Sequence, residues 1–193
     1  MMQITEHVHA IGIPVQIPVA QGKTFERFVC VYLILGTEIC LIDSGAQNAY
    51  GAISGYLKNL GRKPEEISLL VLTHAHPDHI GSALEIKKAA KCNVAAHRDV
   101  QTWVEDVALQ FKKRPVPGFH SLVGGSTPVD RLLHEGEIVD LGGPVSLEVI
   151  LTPGHATGAR FTVKRRASCF QVMPSRKQMT CRSMMMLPPQ LHQ

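Results

Sequence analysis

The sequence predicts a mixed α/β domain, and three observations carry that prediction. Apolar runs of strand length recur along the chain, segments with helical spacing separate them, and Gly or Pro punctuates the joins. Such alternation indicates sheets covered by helices rather than a bundle or an all-β barrel.

Taken in order, Val8 to Val19 reads as an extended, edge-like strand, with Pro14 and Pro18 limiting its pairing. Cys30 to Leu35 and Glu38 to Ile42 flank Gly36-Thr37 and predict a hairpin of buried strands. Ala49 to Leu60 has helical spacing and stops at Gly61. Leu69 to Thr73 is a core strand. Ser82 to Lys91 is a helix with Ser82 as its N-cap and Ala83, Ile86 and Ala90 facing inward. Asn93 to Ala96 is a short strand, and Asp99 to Lys113 a single helix. Arg114 to Pro128, rich in Pro and Gly, is expected to be a long loop of the functional kind. Ser146 to Leu151 is a last strand, running into Thr152-Pro-Gly-His155-Ala-Thr-Gly158.

At 193 residues the chain is long enough for one domain with a core. The N-terminus has no basic segment followed by an apolar one, and no apolar run is long enough to cross a bilayer. Five cysteines, an odd number without C-x-x-C spacing, fit reduced thiols. A cytoplasmic protein without a membrane partner is therefore expected. The net charge of +4 hides an asymmetry. Residues 1–158 hold 13 Lys and Arg against 16 Asp and Glu, whereas residues 159–193 hold 7 basic residues and no acidic one. That tail also holds 5 of the 7 Met and none of the 16 Gly.

The densest chemistry lies in His74-Ala-His76-Pro-Asp78-His79, directly after the apolar run Ile67 to Leu72. Imidazole and carboxylate are ligands suited to zinc, and iron or manganese are possible with the same donors. His74 and His76 lie two apart, so an extended backbone points them the same way. His155, between Pro153-Gly154 and Ala156, can complete a tripod with them and leave a fourth position for water. Asp78 and His79 then remain for a second metal. Asp43, in Leu41-Ile-Asp43-Ser-Gly45, is either a turn residue or a carboxylate that orients a ligand histidine. His7 and His9 read as the polar face of an edge strand. His97 and His120 are candidates for the cleft wall.

Together, Leu-Ile-Asp43-Ser-Gly, Thr73-His-Ala-His-Pro-Asp-His79-Ile-Gly81 and Thr152-Pro-Gly-His155-Ala-Thr-Gly158 resemble the metallo-β-lactamase-fold hydrolase superfamily, in its order. The resemblance spans about residues 8 to 158. It implies an αββα sandwich with metals at one edge. His74, His76 and His155 correspond to the first metal's ligands, and Asp78 and His79 to the second's. Asp78 is also the candidate catalytic carboxylate, while Asp43 and Thr73 support the ligands. The implied activity is metal-dependent hydrolysis, with one or two Zn2+. A metal-bound hydroxide would attack an ester, thioester, lactone or phosphodiester in a small-molecule substrate.

After Gly158 the resemblance ends. The family continues to a Gly-Asp whose Asp bridges the metals, then to a further His. This sequence has no acidic residue there, and its remaining His192 lies in a Pro- and Gln-rich terminus. Two domains of meaning are therefore expected: residues 1–158 as a partial metallo-β-lactamase-like domain, and 159–193 as a non-native tail, incomplete as a fold.

The genetic code supports a shifted reading frame. Joining each codon's third base to the next two forces Asp at Met179–Thr180, Met184–Met185 and Met185–Met186, because Met has one codon. The same frame permits Gly-Asp across Gln171–Val172–Met173. One deleted base near codon 158 would account for both. The alternatives are a natural basic, Met-rich disordered tail that binds nucleic acid by charge, an inactive truncated product, or a nucleic-acid-binding protein or nuclease of the same fold. Impaired activity is expected of the chain as written.

Overall fold

The computed structural model describes residues 1–18, 23–152, 158–165 and 168–172. Two sheets face each other. The larger contains β1 (Met2–Gln3), β2 (Val8–Pro18), β3 (Thr24–Leu35), β4 (Ile39–Ile42), β5 (Ile67–Leu72), β6 (Asn93–His97) and β7 (Arg131–Leu133), in that spatial order. The first four strands run antiparallel to one another, and β4 through β7 are parallel. The smaller sheet is ordered β11 (Ser168–Val172), β10 (Ala159–Arg165), β9 (Val145–Leu151), β8 (Ile138–Asp140), all antiparallel.

Alternation along the strands divides the apolar residues between two cores. Leu33, Leu41, Leu70, Leu72, Val94 and Ala96 face a helical layer, where Ile53, Leu57, Ile86, Val100 and Val104 meet them. Ile34, Ile42, Val71 and Ala95 face the smaller sheet, where Leu147, Val149, Phe161 and Val163 meet them. The layers are thus helix, sheet, sheet. Every helix with buried apolar residues packs on the larger sheet, and no helix among the described residues covers the smaller one. No described helix is long and apolar enough to cross a membrane.

The helices are α1 (Tyr50–Asn59), α2 (Pro77–Ile80), α3 (Ala83–Ala90), α4 (Arg98–Glu105), α5 (Val107–Lys113) and α6 (Phe119–Leu122). Several expectations are corrected. The single helix expected over Asp99 to Lys113 is two, because Asp106 leaves helical geometry and its carboxylate accepts from the Leu109 N–H at 2.8 Å, capping α5. Ser82 is the N-cap residue of α3, as expected, and its carbonyl accepts from the Ile86 N–H, but its side chain makes no cap bond. Its hydroxyl donates instead to the Ala46 carbonyl and accepts from the Ala49 N–H. The loop over Arg114 to Pro128 contains α6. His9 is buried, with its Nδ1 at 2.8 Å from the Tyr56 hydroxyl, so it is no exposed edge residue. Burial lowers its pKa.

The smaller sheet also continues past Gly158. In Ala159-Arg-Phe161-Thr-Val163 alternate residues are apolar, and β10 pairs with β9 over its whole length, burying Phe161 and Val163.

Candidate metal centre

Strands β4 and β5 run parallel, so their C-terminal ends lie side by side at one edge of the larger sheet. That edge receives Asp43 from the end of β4 and Thr73 and His74 from the end of β5. Asp43 adopts a left-handed conformation, φ 61°, which its short polar side chain tolerates when it bonds locally.

The bonds are specific. Asp43 Oδ1 accepts from the Thr73 backbone N–H and Oδ2 from the Thr73 hydroxyl, each at 2.8 Å. Oδ2 also lies 2.8 Å from His79 Nδ1. The Thr73 hydroxyl lies 2.8 Å from His74 Nδ1. An ionised carboxylate only accepts. His79 Nδ1 therefore carries its proton toward Asp43, and the single Thr73 hydroxyl hydrogen is committed to Asp43, so the hydroxyl accepts from His74 Nδ1–H. Both imidazoles are then held in the tautomer whose Nε2 lone pair can bind a cation. One side chain sets two rings.

The turn carrying the cluster is pinned to the Asp43 loop. His79 O accepts from the Ser44 N–H and hydroxyl, both at 2.8 Å, and Gly81 N–H donates to Gly45 O. A Cβ on Gly81 would lie 2.1 Å from Leu122 O and 2.5 Å from Gln47 N, so only glycine permits this approach. Pro77 opens α2, and the His76 carbonyl accepts from the His79 and Ile80 N–H groups.

Among the described residues, Asp43, His74 and His79 each offer a ligand atom within 4.8 Å of the others. The His74 ring centroid is 4.1 Å from that of His79 and 4.6 Å from that of His76. Asp78 lies in the first turn of α2, half-buried beside His79. Burial would lower the His79 pKa, but the charge and hydrogen bond of Asp43, with Asp78 adding to them, raise it above its ordinary value. Clustered imidazoles with carboxylates beside them suit zinc or another divalent transition metal.

His155 lies outside the described residues. The residues flanking its segment are placed, however. Thr152 N–H donates to Gly158 O, and Gly158 forms an isolated antiparallel bridge with His74. His97 is buried at the end of β6, where its Nδ1 accepts from the Asp99 N–H at 3.3 Å and caps α4. His120 is exposed on α6, its ring centroid 4.5 Å from that of Phe111. Sequence reasoning missed Gln110, whose Nε2 donates to the Ala75 carbonyl inside the H-x-H segment. No motif marks it.

The profile of the metallo-β-lactamase superfamily matches residues 25–159. The chain belongs to that superfamily. Among curated relatives, the probable metallo-hydrolase YqgX of Bacillus subtilis is 32% identical over 129 residues, covering 66% of this chain and 56% of that protein. A hydroxyacylglutathione hydrolase of Rhodopseudomonas palustris is 29% identical, over 66% of this chain and 42% of its own length. The chain thus spans about half the length of the curated relatives it matches. Among solved structures, BJP-1, a subclass B3 metallo-β-lactamase of Bradyrhizobium japonicum, matches with TM-score 0.63 at 28% identity, covering 74% of this chain and 54% of that one. Native FEZ-1 from Legionella gormanii, at 24% identity and TM-score 0.69 over 91% of this chain and 65% of that one, shows the fold alone. Two of these relatives carry hydrolase names.

Proposed function

We propose that this chain carries the metal-binding part of a zinc-dependent hydrolase of small carbonyl or phosphoryl substrates. His74, His76 and His155 would hold one ion, and Asp78 and His79 would contribute to a second position. Bound there, zinc would supply Lewis acidity and an activated water. The observation that carries the reading is the Asp43 network, which holds two imidazoles of the H-x-H-x-D-H cluster through their Nδ1 atoms.

Thioesters stand first in the substrate panel, because one relative is named a hydroxyacylglutathione hydrolase; esters, lactones and phosphodiesters follow. Activity of the chain as written is reduced, because residues 159–193 supply no carboxylate to bridge two ions. We attribute that to a lost base near codon 158, with the tail read out of frame. Sequencing the DNA across codons 156–162 tests this; an intact frame in independent clones overturns it. Zinc analysis of the purified protein tests the function. One bound equivalent, lost on replacing His74 by Ala, is expected, and wild-type protein that takes up no zinc refutes it.

A further inference from the structure

Helix α5 sends one polar side chain into the interior. Gln110 is 5% exposed, and its Nε2 donates to the carbonyl of Ala75, the residue between His74 and His76. We propose that Gln110 is a positioning residue of the metal centre, setting His76 through the peptide that precedes it. The inference rests on the zinc-site reading above.

Three observations carry it. First, the Ala75 carbonyl belongs to the Ala75–His76 peptide, so anchoring that oxygen fixes the plane from which His76 departs. On the other side, the His76 carbonyl accepts from the His79 N–H at 2.9 Å and the Ile80 N–H at 3.2 Å. His76 is therefore gripped through both flanking peptides, while Asp43 sets His74 and His79 through their rings.

Second, the amide is a poor choice for packing alone. Its Oε1 is buried and accepts no hydrogen bond among the described residues. A buried amide that satisfies only half its capacity is less favourable than a leucine or methionine of similar volume. The donated bond is what the amide contributes and those residues cannot.

Third, the element that delivers it is anchored on its own account. Asp106 caps α5, the Val107 N–H donates to Ser126 Oγ at 3.2 Å, and the Gln110 N–H donates to Asp106 O at 3.0 Å. The Ser126 bond ties the start of α5 to another segment independently of Ala75. The bond runs from the helix to the turn and stiffens the turn.

The test compares Gln110→Met, which keeps the volume and removes the donor, with Val100→Ala, a buried truncation in α4 that weakens helix docking. Zinc affinity is read by competition with a chromogenic chelator. Gln110→Met is expected to bind zinc about 10- to 100-fold more weakly, in the range for partners that orient ligands. Val100→Ala is expected to melt earlier yet bind as wild type does. Unchanged affinity in Gln110→Met, or an equal loss in Val100→Ala, overturns the proposal. Gln110→Leu serves if the Met variant is insoluble. Imidazole NMR of the metal-free protein separates this proposal from the hydrolase reading: the His76 ring resonances move in the variant while those of His79 stay. If wild type binds no zinc, the hydrolase reading falls and the NMR comparison alone decides, an unmoved His76 ring overturning Gln110's role.

Discussion

Asp43 carries more of the site than its place after a strand suggests. Asp43→Asn keeps the shape, but it substitutes an NH2 for one acceptor oxygen and removes the charge facing His79. Zinc affinity is expected to fall about 10- to 100-fold, measured by chelator competition, with the sheet intact by circular dichroism. Acidity acts on the same pair. The His79 pKa is raised in the metal-free fold, so its protonated form is worth stability that is fully present below the ordinary value of 6.5. That stability is lost as pH rises through the elevated value. Metal-free protein is therefore expected to lose stability across that window in urea melts, and His79→Gln to flatten the slope. Zinc uptake runs the other way, weakening as the proton competes for His79 below the same value. The sequence made His74, His76, Asp78 and His79 legible because ligand types crowded into six residues form a local pattern. It left Asp43 with two readings, since a carboxylate's partners lie 30 and 36 residues away. Gln110 gave no signal at all, because it acts on backbone through a contact of separation 35.

The strands were legible where apolar runs were longest, and blurred where short elements rely on tertiary contacts. Strands β7 and β8, three residues each, carry too little periodicity to stand out. The break between α4 and α5 turns on one cap that the helical pattern of Val100, Val104 and Val107 conceals. Asp106→Ala is expected to cost about 0.5–2 kcal/mol in denaturant unfolding, the usual worth of a cap. Close approach between elements gives a sharper expectation. A Cβ at Gly158 would lie 2.3 Å from the Thr73 carbonyl and 2.9 Å from His74 Cβ, so only a glycine permits this approach to the end of β5. Gly158→Ala is expected to destabilise by about 1–3 kcal/mol and to lower zinc affinity with it, because the clash falls on the strand end that bears His74. Melts and chelator competition on the same preparation check both.

For the whole molecule, the sandwich was foreseen as four layers, and three are described. Among the described residues seven strands face four, and Phe25 and Phe28 stand exposed on β3. Exposed apolar side chains on strands invite association. Phe28→Lys is expected to reduce concentration-dependent light scattering without altering zinc uptake. The candidate metal centre lies at the rim of the larger sheet, whereas two apolar cores on either side of that sheet hold the chain together. Folding and loading are accordingly separate events. Asp43 and His74 reach one another only after β4 and β5 have paired across the intervening α1, so the network that orients the imidazoles forms only in the folded chain. A chelator should strip the ion and leave a folded shell that reloads on titration, unlike small zinc modules that collapse when emptied. An ion held there would be a passenger of this architecture, and its exchange could follow the supply of metal without rebuilding the protein.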